Sequence, residues 1–236
     1  MCEKGLVRVR SVAVLRSAYE EKYARCEKEP HLTPQQKKAV EAVRETPCKT
    51  FLFHGVTGSG KTEVFIRLVK DCIQKGRQAI ILVPEISLTP QMTKRFYERF
   101  GPTVALIHSA LSLGERLDEW GRIKRGEAKL VIGARSAVFA PCENLGIIII
   151  DEEHEQTYKS ERVPRYHTRD VASFIAKREN IPLVLASATP SVESYYIAKM
   201  GKYVLLEMKE RINGKALPKV EIADMRRELQ EGNKTV

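Results

Sequence analysis

The segment Gly55-Val56-Thr57-Gly58-Ser59-Gly60-Lys61-Thr62 sits between an apolar stretch, Thr50–His54, and a run with helical spacing from Val64 to Ile73. A strand that empties through a glycine loop into a helix fits G-x-x-x-x-G-K-[ST], in which bare backbone N–H groups cradle phosphate oxygens. Glycine reaches positive φ without a Cβ clash, so the loop can wrap tightly. Lys61 is placed to neutralise β- and γ-phosphates, and Thr62 to set its hydroxyl on Mg²⁺. Gly55, Thr57, Gly58, Ser59 and Gly60 complete the expected nucleotide cradle. At average composition the pattern arises by chance in about one chain of this length in a hundred. A phosphate-binding loop is the stronger reading.

A second segment, Asp151-Glu152-Glu153-His154, follows four consecutive isoleucines, Ile147 to Ile150. Such a run reads as a buried strand that delivers Asp151 to its carboxyl end, the edge where open parallel sheets bind ligands. Asp151 is expected to complete the Mg²⁺ site that Thr62 begins, and Glu152 to orient or deprotonate the attacking water. Acidic residues after a strand also cap the following helix. For Glu153 the capping role and a functional one stay equally open.

Between and after these segments the apolar runs Ala79–Val83, Val104–Ile107, Lys129–Ile132 and Leu183–Ala186 are continuous rather than alternating. That pattern belongs to parallel strands covered on both faces. The expected fold is therefore α/β, a doubly wound, mostly parallel sheet. A helix is expected to open at Thr33-Pro34-Gln35-Gln36, with Thr33 as cap and Pro34 at the first helical position. The expected division is 1–30 as the end of a preceding domain or a linker, 31–207 as the nucleotide-binding lobe, and 208–236 as a charged linker.

No apolar run reaches the roughly 20 residues of a membrane span, and residues 1–30 lack the apolar centre of a signal peptide. Cys2, Cys26, Cys48, Cys72 and Cys142 are scattered without a C-x-x-C pair, so neither a disulfide framework nor zinc ligands are expected in this chain. A reducing, cytoplasmic setting follows. The net charge is +10, and residues 31–100 hold 12 basic against 6 acidic side chains. A positive surface around one acidic pocket suits an enzyme that binds a polyanion and also chelates Mg²⁺.

Asp151-Glu152-Glu153-His154 is a DExH box, and Leu185-Ala186-Ser187-Ala188-Thr189-Pro190 contains the Ser-Ala-Thr of superfamily 2 helicases. Three further segments narrow the resemblance: Val83-Pro84-Glu85-Ile86-Ser87-Leu88-Thr89-Pro90-Gln91, Ile132-Gly133-Ala134-Arg135-Ser136-Ala137-Val138-Phe139, and Arg165-Tyr166-His167-Thr168-Arg169-Asp170. With the glycine loop, these resemble the bacterial replication-restart helicases, the primosomal protein N′ family, from about Leu32 onward.

The resemblance implies a P-loop NTPase of the RecA-like type, the first of two helicase lobes. It implies an ATP hydrolase that translocates on and unwinds branched DNA during replication restart and primosome assembly, with ATP and Mg²⁺ as cofactors. Forked or single-stranded DNA, primosome proteins and single-strand-binding proteins are the implied partners. Lys61, Asp151, Glu152 and His154 would carry catalysis, while His154, Ser187 and Thr189 would couple it to strand movement. Thr89, Arg135 and Ser136 would meet the nucleic-acid backbone, in contacts independent of sequence, the alternative being loop residues that cap helices. Tyr158, Arg165, Tyr166 and His167 resemble the aromatic-rich loop by which these and RecQ-type helicases sense single strands, where stacking is worth about 1–3 kcal/mol per base; equally open are one tyrosine as core filler and His167 with Asp170 as a structural hydrogen bond.

Gln36 carries two readings: the adenine-reading glutamine of many helicases, and the N3 position of a capping box headed by Thr33. The resemblance further implies a second lobe that supplies an arginine to the transition state, and zinc held in a cysteine-rich insertion of the full-length family member. This chain alone is then expected to be nearly inactive. The alternatives are a nucleotide-binding scaffold lobe without unwinding, or the lobe of another superfamily 2 translocase or RNA helicase.

Overall fold

A computed structural model describes residues 30–161 and 163–212. The attachments expected at the two ends lie outside them over 1–29 and 213–236. The described chain runs α1 (Pro34–Glu45), β1 (Thr50–Gly55), α2 (Lys61–Gln74), β2 (Gln78–Leu82), α3 (Pro90–Phe100), β3 (Val104–Ile107), α4 (Leu113–Lys124), β4 (Leu130–Gly133), β5 (Leu145–Ile150), α5 (Thr168–Glu179), β6 (Leu183–Ser187), α6 (Val192–Lys199) and β7 (Val204–Met208). Short 3₁₀ turns join several of these, including Glu85–Ser87, Arg135–Phe139 and Gln156–Tyr158.

The sheet has seven strands in the order β3-β4-β2-β5-β6-β1-β7, and every described pairing is parallel. The doubly wound α/β fold expected from the continuous apolar runs is the one observed. Alternation of side chains along the strands splits the core in two. Phe51, Phe53, Ile147 and Ile149 pack with Val64 and Val69 of α2 and Phe96 of α3. Leu52, Ile148 and Ile150 pack on the other face with Ile123 of α4, Ala172 of α5 and Ala198 of α6. All six residues of β5 are buried, which is why its sequence shows no polar alternation.

The start of α1 shows how locally the sequence dictates structure. Thr33 Oγ1 accepts from Gln36 N at 3.3 Å, and Gln36 Oε1 accepts from Thr33 N at 2.9 Å, the reciprocal pair of a capping box. Pro34 occupies the first turn, where its missing N–H costs nothing.

What the topology positions is one edge. β5, β6 and β1 are neighbours, and β6 pairs with both flanking strands, Ile150 opposite Leu185 and His54 opposite Ser187. The glycine loop, the acidic run and Ser187-Ala188-Thr189 therefore leave the carboxyl ends of adjacent strands. Segments far apart in sequence meet there.

Candidate nucleotide and nucleic-acid site

Gly58 and Gly60 adopt φ of 83° and 82°, values a side chain would strain, and they turn the loop into α2. Gly55 is needed for closeness instead: a Cβ there would stand 2.9 Å from Ser59 Oγ and 3.1 Å from Lys61 Cγ. α2 starts at Lys61 with no side-chain cap on its first turn, so its orphan N–H groups and positive dipole end point into the loop. Ser59 Oγ is buried with no hydrogen-bond partner among the described residues. An uncapped helix start beside an orphan hydroxyl fits the phosphate groups of a nucleotide.

Lys61 Nζ donates to Gly55 O at 3.0 Å and stands 3.6 Å from Glu152 Oε1. Across the site, Asp151 is held by its own backbone, its N–H donating to Leu82 O at 2.8 Å. Its Oδ1 accepts from Glu152 N at 3.0 Å. Burial, and then the Glu152 charge, push the Asp151 carboxyl up to about 6, with Lys61 and the Glu152 amide pulling the other way. A carboxylate kept expensive to ionise is one that gains from a cation. Among the described residues, no group of three or more His, Cys, Asp or Glu side chains could hold a metal alone. Thr62 and Asp151 suit an ion that keeps its waters and takes its remaining ligands from phosphate, as Mg²⁺ does.

Glu152 has φ of 46°, in the left-handed region, which few non-glycine residues occupy without cost. Ser187 Oγ lies 3.2 Å from Glu152 Oε2, 2.8 Å from His154 Nδ1 and 2.9 Å from Thr189 N. A hydroxyl has one proton and two lone pairs. The carboxylate and the amide leave no choice, so Ser187 donates to Glu152 and accepts from both Thr189 N–H and His154 Nδ1–H. The tautomer of His154 is thereby assigned from its partners. The residues expected to catalyse and those expected to couple form one hydrogen-bonded chain.

Glu153, left open by sequence, is buried beneath this chain. Its carboxylate accepts from Ser191 N at 2.7 Å, Ser191 Oγ at 3.2 Å and Ser194 Oγ at 2.9 Å, and lies 3.4 Å from Arg169 Nη1. The side chain neither opens toward the glycine loop nor caps the turn after its own strand. It ties the acidic run to the starts of α5 and α6.

The nucleic-acid candidates divide. Arg135, Ser136 and Tyr166 line one open cleft of about 730 Å³, together with Arg116, Lys159 and Glu85. Tyr166 stacks edge-on with Phe139, ring centroids 5.1 Å apart. Arg165 is exposed nearby in sequence but does not line the cleft. Arg135 is partly committed, its Nη1 donating to the carbonyls of Thr157 and Lys159.

Tyr158 is not part of such a surface. It is 1% exposed, packs in the core and donates its hydroxyl to Asp151 O at 2.7 Å. A ring with no exposed face cannot stack on a base, so its expected single-strand contact is corrected to a structural one. Thr89 caps α3, accepting from Met92 N, and His167 caps α5, its Nδ1 accepting from Arg169 N at 3.2 Å. Burial, and then Arg169, lower the His167 pKa. Gln36 is buried, and beyond its capping-box bonds Nε2 donates to Ser59 O at 3.1 Å and Gly60 O at 3.4 Å. Both ends of that amide are already used within the protein.

Sequence reasoning passed over Arg169, Ser191 and Ser194 as a set, since the Glu153 network joins four separate positions and leaves no local spacing. It also passed over Arg211 and Ile212, which pack against the glycine loop. No described helix is long and apolar enough to cross a membrane.

A family model described as DEAD/DEAH box helicase matches residues 33–196. The chain is 50% identical over 240 residues to the Replication restart protein PriA of Bacillus subtilis (strain 168), across 100% of this chain and 30% of that protein. To the protein of the same name from Synechocystis sp. it is 44% identical over 244 residues, across 100% of this chain and 29% of that one. The chain thus spans about 30% of the length of these curated relatives. Among solved structures, RecG bound to a three-way DNA junction is similar with a TM-score of 0.61 at 22% identity, over 85% of this chain and 27% of that one. The UvsW helicase of bacteriophage T4 gives 0.56 at 17% identity, over 78% and 62%. At these identities the two structures speak for the fold alone.

Proposed function

The chain belongs to the DEAD/DEAH box helicase family, and from that premise we propose that residues 31–207 are the first motor lobe of an ATP-dependent DNA helicase of replication restart. The observation that carries this is the joining of the glycine loop, the acidic run and Ser187 at the ends of adjacent strands, through Lys61, Glu152 and His154. A scaffold would need the loop but not a strained, water-facing carboxylate wired to a hydroxyl on the next strand.

In this reading the loop backbone and the α2 start bind the polyphosphate, Lys61 holds its terminal charge, and Thr62 and Asp151 hold Mg²⁺. ATP·Mg²⁺, when bound, supplies the scissile anhydride and the charge neutralisation that phosphoryl transfer requires. Glu152 orients the attacking water. Ser187 and His154 feel any change at Glu152 because they share its hydrogen bonds, and so transmit it along the strand edge. Arg135, Ser136 and Tyr166 meet the DNA strand from the cleft. The relatives' name supports work at replication restart; to this the proposal adds branched or single-stranded DNA as substrate, primosome and single-strand-binding proteins as partners, and the cytoplasm as compartment.

The test is ATP hydrolysis by the full-length protein carrying this lobe, stimulated by forked DNA or by single-stranded RNA. Strong stimulation by the fork and little by the RNA is expected. Equal stimulation by the two sinks the replication-restart reading.

A further inference from the structure

After β7 the chain turns back across the glycine loop. Val56 N donates to Met208 O at 3.0 Å, and Ile212 N donates to Gly58 O at 3.0 Å, so the segment 208–212 lies along the loop as a strap. Arg211 Cγ and Cδ stand 3.8 and 3.9 Å from where a Cβ on Gly58 would be. Arg211 Nε is buried with no hydrogen-bond partner among the described residues. Ile212 Cδ1 stands 2.4 Å from a Cβ position on Gly60, which Gln36 Nε2 approaches equally closely. Ile212 and Gln36 also line a cavity of about 360 Å³ with Thr62, Glu63 and Ile66.

These facts fit a ligand with two ends. A buried guanidinium Nε left without a partner costs free energy, and Arg211 sits beside a loop whose Ser59 hydroxyl is likewise orphaned. An anion held on the loop offers the guanidinium a charge-assisted bond, and bonds of this type are the strong ones. Ile212, more than half exposed, offers an apolar face over a cavity at the start of α2. Gln36, whose amide is spent on the cap and the loop, has little left for a base. An apolar wall is then what the base end of the site has to offer.

We propose that Arg211 and Ile212 belong to the nucleotide site: Arg211 supplies a cation to the polyphosphate, and Ile212 walls the base. This rests on the reading of the glycine loop as a nucleotide site. A cation supplied from the same lobe, on the segment leaving the sheet, makes the direction of that segment depend on whether nucleotide is bound.

Calorimetric titration of the 236-residue chain with ATP·Mg²⁺ and with inorganic tripolyphosphate separates the two ends. Arg211→Ala is expected to weaken both ligands about tenfold, the loss of one charge-assisted bond, and Arg211→Lys to recover part of it. Ile212→Ala is expected to weaken ATP about fivefold through lost apolar cover and to leave tripolyphosphate unchanged. Melting curves of each variant, and Arg211→Glu as a charge reversal on the same exposed segment, separate a binding effect from a folding one. Unchanged affinity in Arg211→Ala and Ile212→Ala overturns the proposal, and so does tighter binding, which would make the strap an obstruction. A wild-type chain that binds neither ligand, or binds them no better than Lys61→Ala, overturns instead the nucleotide reading beneath it.

Discussion

The Lys61 ammonium stands 3.6 Å from Glu152 Oε1, so the end of the glycine loop and the acidic run are in ionic contact before any ligand arrives. In the proposed nucleotide site, a triphosphate entering the loop competes for the same ammonium. Its arrival frees the Glu152 carboxylate, whose other oxygen remains on Ser187.

The two residues should then separate by phenotype. Lys61→Ala is expected to weaken nucleotide binding and turnover together. Glu152→Gln is expected to keep binding and lose about 10²–10⁴ of turnover, the usual reach of a positioned general base. Equilibrium binding and single-turnover hydrolysis, measured in a full-length protein carrying the lobe, distinguish these. Wild-type turnover in Glu152→Gln would falsify its role.

Glu153 makes a different prediction because it is buried beside Arg169 and satisfied by two serines. Removing one member of such a pair leaves an uncompensated charge in a site built for two, at about 3 kcal/mol. Glu153→Ala should therefore lower the melting temperature by about 6–12 °C for a domain of this size. Glu153→Gln keeps the shape and some of the bonds and should cost less. A thermal scan in which Glu153→Ala melts with the wild type removes the network from the account of stability.

The contrast between Glu152 and Glu153 shows where sequence reading reaches and where it stops. The strand Ile147–Ile150, the glycine loop and the capping box at Thr33 are local patterns, and local sterics and burial produce them directly. Which of two adjacent glutamates faces the glycine loop is decided by a left-handed φ at Glu152 and by serines some forty residues away. The edge strand β7 escaped detection for a related reason. Its apolar run is short, Val204 to Leu206, and Glu207 interrupts it; only Met208 in it is buried, and its place beside β1 is set by a long-range pairing. Tyr158 carries the same lesson. An aromatic in a polar segment reads equally as a stacking platform or a core filler, and only packing, with its hydroxyl on the Asp151 carbonyl, decides for the core. Arg211 and Ile212 lie about 150 residues from the loop they cover, and nothing in their own segment announces the contact.

Burial makes an ionised Asp151 a cost to the ligand-free fold. Its carboxyl is pushed up to about 6 from an ordinary value of 3.8. A raised folded pKa favours the fold while the group is protonated, and that contribution is lost as pH rises from about 4 through about 6. At pH 7.5 the ionised side chain thus burdens the ligand-free fold, by about 1–3 kcal/mol. Asp151→Asn, which keeps an oxygen for the Glu152 amide, should melt higher than wild type at pH 7.5 without Mg²⁺. The gain should narrow below pH 6 and largely vanish near pH 4. Calorimetry across that range checks it. A constant difference, or none, means that the carboxylate is not under the burden its burial implies.

The cysteines give a prediction independent of nucleotide. Burial pushes the Cys72 thiol up to about 11 and the Cys142 thiol up to about 12, whereas Cys48 is exposed before β1. The thiolate is the nucleophile, so a raised pKa and a closed surface act together. Among the described cysteines, Cys48 should react first with iodoacetamide at pH 8, half-buried Cys142 more slowly, and buried Cys72 only at the rate of global unfolding. Cys72 Sγ also contacts Gln78 O at 3.3 Å, at the start of β2, so its exposure requires the sheet to part from α2. Peptide mapping by mass spectrometry, with and without denaturant, reads each site separately. Rapid native labelling of Cys72 would mean that α2, the helix that carries Lys61 and Thr62, leaves the sheet far more readily than its packing against Phe53 and Ile147 allows.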